Sequence, residues 1–259
     1  MIEYRCPTCD QEFTIDEYRQ SRFCPTCGKY LQAKRILKPI VDPPGINGPI
    51  KISPQESQIS KLWPVYIKSP IEISAGNKFP SVDEWVRRRK QVYLEYQRKF
   101  SPNNLSNLAA VQRNFQSWLA FRNNLSWTTL QRTATNALEH PQKLANLLLN
   151  LQNEDIEIAS RIRNALQGSD KIDGIGQGIA TALLHTFNHD KYGVWNSRTV
   201  DTLKKLHRPT FPSEDLGETY KRVNNTLNAL TKELNTDLTT LDGFMWFVSK
   251  NYEFLYLLE

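Results

Sequence analysis

From residue 82 almost to its end, the chain repeats apolar side chains every three or four positions, the period of a helix with one buried face. Trp85, Val92, Tyr93, Tyr96 and Phe100 supply such a face and predict a helix over 82–99. Ser81 stands ahead of it as a cap, and Asp83 and Glu84 occupy the first turn, where the helix dipole favours negative charge. Leu108, Val111, Phe115, Trp118, Leu119 and Phe121 predict the next helix over 105–122, and further helices are expected near 127–138, 141–151, 154–167, 213–235 and 239–257. Another face, Ile179, Leu183, Leu184 and Phe187, follows a run of glycines. The C-terminal stretch is rich in apolar groups, among them Leu241, Phe244, Met245, Phe247 and Val248, and is expected to dock into the core or, alternatively, to meet a protein partner.

Ahead of residue 81 this period disappears. Pro39, Pro43, Pro44, Pro49, Pro54, Pro64, Pro70 and Pro80 fall there, more than half of the 14 prolines, and exclude long helices. The stretch 39–60 is poor in large apolar residues and reads as a linker stiffened by its prolines. Trp63, Val65, Tyr66, Ile67, Ile71 and Ile73 then form short apolar runs, expected as extended pieces laid on the following domain. The resulting division is a small module over 1–37, a proline-rich linker with short extended segments over 38–80, and an all-helical domain over 81–259.

The first module carries every cysteine of the chain, Cys6, Cys9, Cys24 and Cys27, in two Cys-Pro-Thr-Cys units. Each two-residue gap can fold as a tight knuckle, and two knuckles bring four thiolates to one ion, so one structural zinc is the expected cofactor. Four cysteines fill a tetrahedral shell and leave no open position for a catalytic water. The pattern resembles the zinc ribbon family, which serves nucleic-acid machinery and also protein docking.

A second motif, Lys171-Ile-Asp-Gly174-Ile175-Gly176-Gln-Gly178, precedes the apolar face at Ile179. Gly174 and Gly176 leave the backbone uncovered, and amides at a helix start lack intrahelical partners, so an anion such as a phosphate suits the turn while Ile175 plugs the core beneath it. A dinucleotide loop is excluded by the spacing of the third glycine and by an approach that is not strand-like. The motif resembles the helix-hairpin-helix family over about 165–188, whose Gly-apolar-Gly turn binds a DNA backbone phosphate. Downstream, Val194-Trp195-Asn196-Ser-Arg198 looks like the continuation found in helix-hairpin-helix DNA glycosylases, with Asn196 matching the catalytic aspartate of that superfamily. An amide supplies no carboxylate charge to a developing cation, and no lysine follows the glycine turn, so no catalytic residue is assigned.

These resemblances imply a fold class of a short-β zinc ribbon plus a mainly α domain of glycosylase-like helix-hairpin-helix type. They imply DNA binding through backbone phosphates, with Lys171, Gly174, Ile175, Gly176, Gly178, Lys191, Asn196, Arg198 and Lys204 as the site and the ribbon as accessory arm, in DNA repair or defence. The alternatives are a divergent glycosylase or lyase acting on damaged DNA, and a zinc-ribbon docking module that binds a protein partner. The helix over 82–99 adds a basic face of Arg87, Arg88, Arg89, Lys90, Arg98 and Lys99. Overall charge changes the picture little, because 33 Lys and Arg stand against 27 Asp and Glu. No apolar run is long enough to cross a membrane, and a cytoplasmic setting is expected.

Overall fold

The computed structural model describes residues 2–5, 9, 12–15, 32–33, 58–74, 77–125, 127, 134–209 and 214–255. They belong to two units that divide between Ser53 and Pro54. In the first unit β1 (Ile2–Arg5), β2 (Glu12–Ile15) and β3 (Gln32–Ala33) form an antiparallel sheet in the order β2-β1-β3, with Tyr4 paired to Phe13 on one side and to Ala33 on the other.

The expected zinc site is corrected by the structure. Among the described residues no group of three or more His, Cys, Asp or Glu side chains is placed to hold a metal ion. Of the four expected ligands only Cys9 is a described residue. Cys6, Cys24 and Cys27 lie outside the described residues. The zinc cofactor and the zinc ribbon are accordingly set aside.

The second unit begins inside the span read as a linker. Helix α1 runs Gln58–Lys68 through Pro64. A proline removes one donor from the helical ladder, but burial of Ile59, Leu62 and Tyr66 on one face offsets that loss. Tyr66 also donates its hydroxyl to the Thr240 carbonyl at 3.1 Å. A hairpin of β4 (Ile71–Ser74) and β5 (Asn77–Phe79) then leads into α2 (Val82–Lys99). Ser81 caps α2 as its residue type predicts, accepting from the Glu84 amide at 3.2 Å.

After α2 come the short α3 (Pro102–Leu105), α4 (Leu108–Leu119), the short α5 (Phe121–Asn124) and a 3-10 turn at Thr135–Glu139. Then follow α6 (Pro141–Gln152), α7 (Ile158–Leu166), α8 (Gln177–Phe187), α9 (Ser197–Lys205), α10 (Leu216–Glu233) and α11 (Leu238–Leu255). Helix α7 packs most extensively on α10, and Gly217 permits it: a β-carbon there would lie 2.0 Å from the Ala159 carbonyl oxygen. Helix α11 packs against α1, α2, α9 and α10, with Leu241, Phe244, Met245, Phe247 and Val248 buried, so this part of the apolar C-terminal stretch is core. Among the described residues no helix is long and apolar enough to cross a membrane.

The fold class is therefore corrected to a mainly helical unit carrying one two-stranded hairpin, and a separate three-stranded sheet. The helix-hairpin-helix element is also not the one expected. Its family joins two helices by a short Gly-apolar-Gly turn, whereas here α7 ends at Leu166, α8 begins at Gln177 and a loop fills 167–176. Gly168 suits the close turn that follows, where a β-carbon would lie 2.9 Å from the Asn164 Cα.

Candidate ligand cleft

The run Arg87-Arg88-Arg89-Lys90 does not form one basic face. Arg89 turns inward and is fully buried, while Arg87 and Arg88 are exposed. Its Nη2 donates to Asp242 Oδ2 at 2.7 Å and its Nη1 to the Thr239 carbonyl at 3.3 Å, both on or next to α11. The guanidinium also lies 4.5 Å from the ring centre of Trp85, 5.5 Å from that of Trp127 and 5.6 Å from that of Tyr93, within reach for cation–π attraction. Burial opposes its charge, yet Tyr93 and Asp242 outweigh burial and raise its pKa. Losing one partner of such a pair would strand the other's charge in the core.

Asp242 of this pair forms part of the wall of a cleft where the hairpin, α2, α9 and α11 meet, lined by Ile71, Trp85, Trp127, Asn196, Arg198, Thr199, Asp242, Met245 and Trp246. Its closed interior is small, about 20 Å³, room for roughly one water. With the open solvent over its mouth included, the space is about 410 Å³. At the mouth Trp246 is half-buried and Arg198 exposed. Trp127 is only 8% exposed, and its indole Nε1 is buried without a hydrogen-bond acceptor, an expensive state for a polar group.

Behind the cleft His185 is fully buried. Its Nδ1 lies 2.7 Å from the Tyr192 carbonyl, which can only accept, so Nδ1 carries the proton and Nε2 faces the Thr239 hydroxyl at 3.4 Å. Burial first, and then the Arg89 charge, push its pKa down to about 4. A neutral imidazole avoids placing a second buried cation beside the Arg89 guanidinium.

The residues expected as a DNA site separate in the structure. Gly174 has φ 90° and lets the loop turn back, Ile175 is buried as the expected plug, and Gly176 caps α8 with open space where a β-carbon would be. Gly178 approaches α9, because a β-carbon there would lie 3.3 Å from Asn196 Cβ. Asn196 caps α9, its Oδ1 accepting from the Thr199 amide at 2.9 Å, which leaves its Nδ2 as a donor at the cleft. The Thr181 hydroxyl of α8 accepts from the Trp195 amide at 2.9 Å and fixes this corner. Arg198 joins Asn196 in the cleft, but Lys171, Lys191 and Lys204 do not line it. Lys191 is ion-paired with Glu154, which also accepts from the Tyr192 hydroxyl at 2.7 Å.

The expected function, DNA binding through phosphate contacts at a helix-hairpin-helix turn with a zinc arm, is corrected on these grounds. The short hairpin is replaced by a loop, Lys191 is neutralised by Glu154, and no metal cluster forms among the described residues. The glycosylase and zinc-docking alternatives fall with the same features. No family model matches the chain, and no curated protein or solved structure matches it either, so neither resemblance gains support beyond its motif.

Trp127, Asp242 and Trp246 escaped the sequence reading. Asp242 had a legible signal, as the one charged residue within the run 238–249, and Trp246 stands four residues after it on the same helix face.

Proposed function

We propose that the helical unit is a binding module and that its cleft accepts a flat, polar, heteroaromatic ring. The observation that carries this reading is the grouping of Trp85, Trp127 and Trp246 with Asp242, Asn196 and Arg198 around one opening. Indole faces favour a planar partner through stacking. The polar groups then dictate its edge: Asp242 accepts, whereas Asn196 Nδ2, Arg198 and the Trp127 Nε1 donate. A ring with adjacent donors and acceptors, the chemistry of a nucleobase, satisfies both sets. The closed interior holds only about a water, so the ring enters by displacing the Trp246 and Arg198 side chains at the mouth.

Binding, not turnover, is the proposed activity. Asp242 is engaged by Arg89, and Asn196 is neutral and occupied as a helix cap. The test is calorimetric titration with adenosine, guanosine, cytidine and uridine, beside a short single-stranded DNA and benzene as an apolar planar control. Saturable binding of at least one nucleoside, weakened about tenfold or more by Arg198→Gln or Asn196→Ala, is the expected result. DNA, the partner expected from sequence, is one arm: tighter binding of the strand than of its nucleoside would make the ring part of a polymer. Heat with benzene alone, or with none of these, would overturn the reading.

A further inference from the structure

Further along α2, towards its C-terminal end, lies a second and larger opening. Between α2 on one side and α4 and α5 on the other lies a groove of about 430 Å³, within the range of small-molecule sites. Arg88, Gln91, Glu95 and Lys99 follow one another along one face of α2, and the eleven rises of 1.5 Å between the first and the last make the row about 16 Å long. Lys99 is tied to Glu95 and lies 4.7 Å over the Tyr96 ring centre. Arg88 is exposed and makes no ion pair among the described residues.

The floor is polar and already ordered. Tyr96 is a buried residue whose hydroxyl is 2.9 Å from Ser117 Oγ, and Asn123 Nδ2 donates to Ser117 Oγ at 3.0 Å and to the Ser117 carbonyl at 2.8 Å. Burial raises the Tyr96 pKa, with the Ser117 bond opposing it, so the phenol stays protonated. Only Val92 and Leu125 are apolar among the lining residues, which argues against a lipid or an aromatic occupant. The Gln91 carboxamide offers a paired donor and acceptor, and Asn123, its Nδ2 spent on Ser117, keeps Oδ1 as an acceptor, a set that matches vicinal hydroxyls. Arg88 adds an unengaged planar fork of the kind that grips a carboxylate or phosphate in two places.

We infer that this groove is a second binding site, separate from the cleft, for a small anionic molecule rich in hydroxyls, the chemistry of a sugar phosphate. Its anionic group meets Arg88, and its hydroxyl-bearing body lies along Gln91, Asn123 and the Tyr96–Ser117 pair.

The probes are glucose 6-phosphate, glucose and inorganic phosphate, titrated calorimetrically into the full chain. Glucose 6-phosphate is expected to bind with a Kd of about 1 mM or tighter, and each fragment more weakly than the whole. Arg88→Gln is expected to weaken it about tenfold or more, and Asn123→Ala severalfold, because a charge-assisted bond is worth more than a neutral one. Arg87→Gln removes an equal charge from the neighbouring position, which does not line the groove, and Arg198→Gln tests the cleft; both are expected to leave this affinity unchanged. Equal weakening by Arg87→Gln would reduce the site to diffuse surface charge and overturn the inference. So would the absence of saturable heat with glucose 6-phosphate, or binding of an oligonucleotide in its place. Loss with Arg198→Gln would place the ligand in the cleft and overturn a separate site while leaving the cleft reading intact.

Discussion

Arg88 and Arg89 are neighbours in sequence and occupy opposite regimes. One helical step of about 100° carries Arg89 into the core, where Asp242 and three aromatic rings surround it, and leaves Arg88 exposed above an open groove. Identical chemistry therefore performs two tasks. The inner guanidinium joins α2 to α11 and holds the wall of the cleft; the outer one is available to a ligand. What separates them is burial and the supply of a carboxylate, neither of which a basic run reveals by itself.

Removing the inner carboxylate should break this contrast most strongly. Asp242→Ala strands the Arg89 charge in the core and is expected to cost about 3–5 kcal/mol in urea unfolding, whereas Arg88→Gln should stay within about 0.5 kcal/mol of the parent. Equal effects would show that the buried pair does not hold the two helices. The next largest effect is expected from acid. His185 has a folded-state pKa near 4 against an ordinary value of 6.5, so the unfolded chain takes up its proton first as pH falls. Its contribution is complete above pH 6.5 and lost progressively toward pH 4, a total of roughly 3 kcal/mol. His189 is lowered in the same direction, mainly by burial. Unfolding at several pH values should therefore show a shallower slope in His185→Asn, and an unchanged slope would contradict the buried neutral imidazole.

Two glycines sharpen the comparison of packed and open regions. Gly217→Ala drives a methyl into the Ala159 carbonyl and should lower stability by about 1–3 kcal/mol. Gly176→Ala meets open space at an extended backbone and should change stability by at most about 0.5 kcal/mol. A melting series that ranks these two in the reverse order would place the tight helix contact elsewhere.

Much of the helical unit was legible because its elements are amphipathic and capped. The apolar spacing from Trp85 to Phe100, with Ser81 before it, marks α2 as Val82–Lys99. Helix α1 was not legible, since Pro64 speaks against it locally and only the burial of Tyr66 against α11, a contact between residues far apart in sequence, offsets that. The glycine turn was legible in its parts, with Gly174 at positive φ and Ile175 buried, and so was the break at Gly168, which with the following loop separates the two helices. Of the cleft, Asn196 and Arg198 were singled out for a role in phosphate binding, and the structure brings them beside three tryptophans. The spacing places Trp85 on the apolar face of α2, and nothing local in the chain pairs it with Trp246, about 160 residues later, so the cleft exists only through tertiary packing.

If the cleft is where a flat ring is held, tryptophan fluorescence during a nucleoside titration reports it most directly. A saturable change is expected in the parent protein and in Arg88→Gln, with most of the change lost in Trp246→Phe although that variant remains folded. A signal that survives Trp246→Phe unaltered but disappears in Arg88→Gln would put the ring in the outer groove and contradict the account.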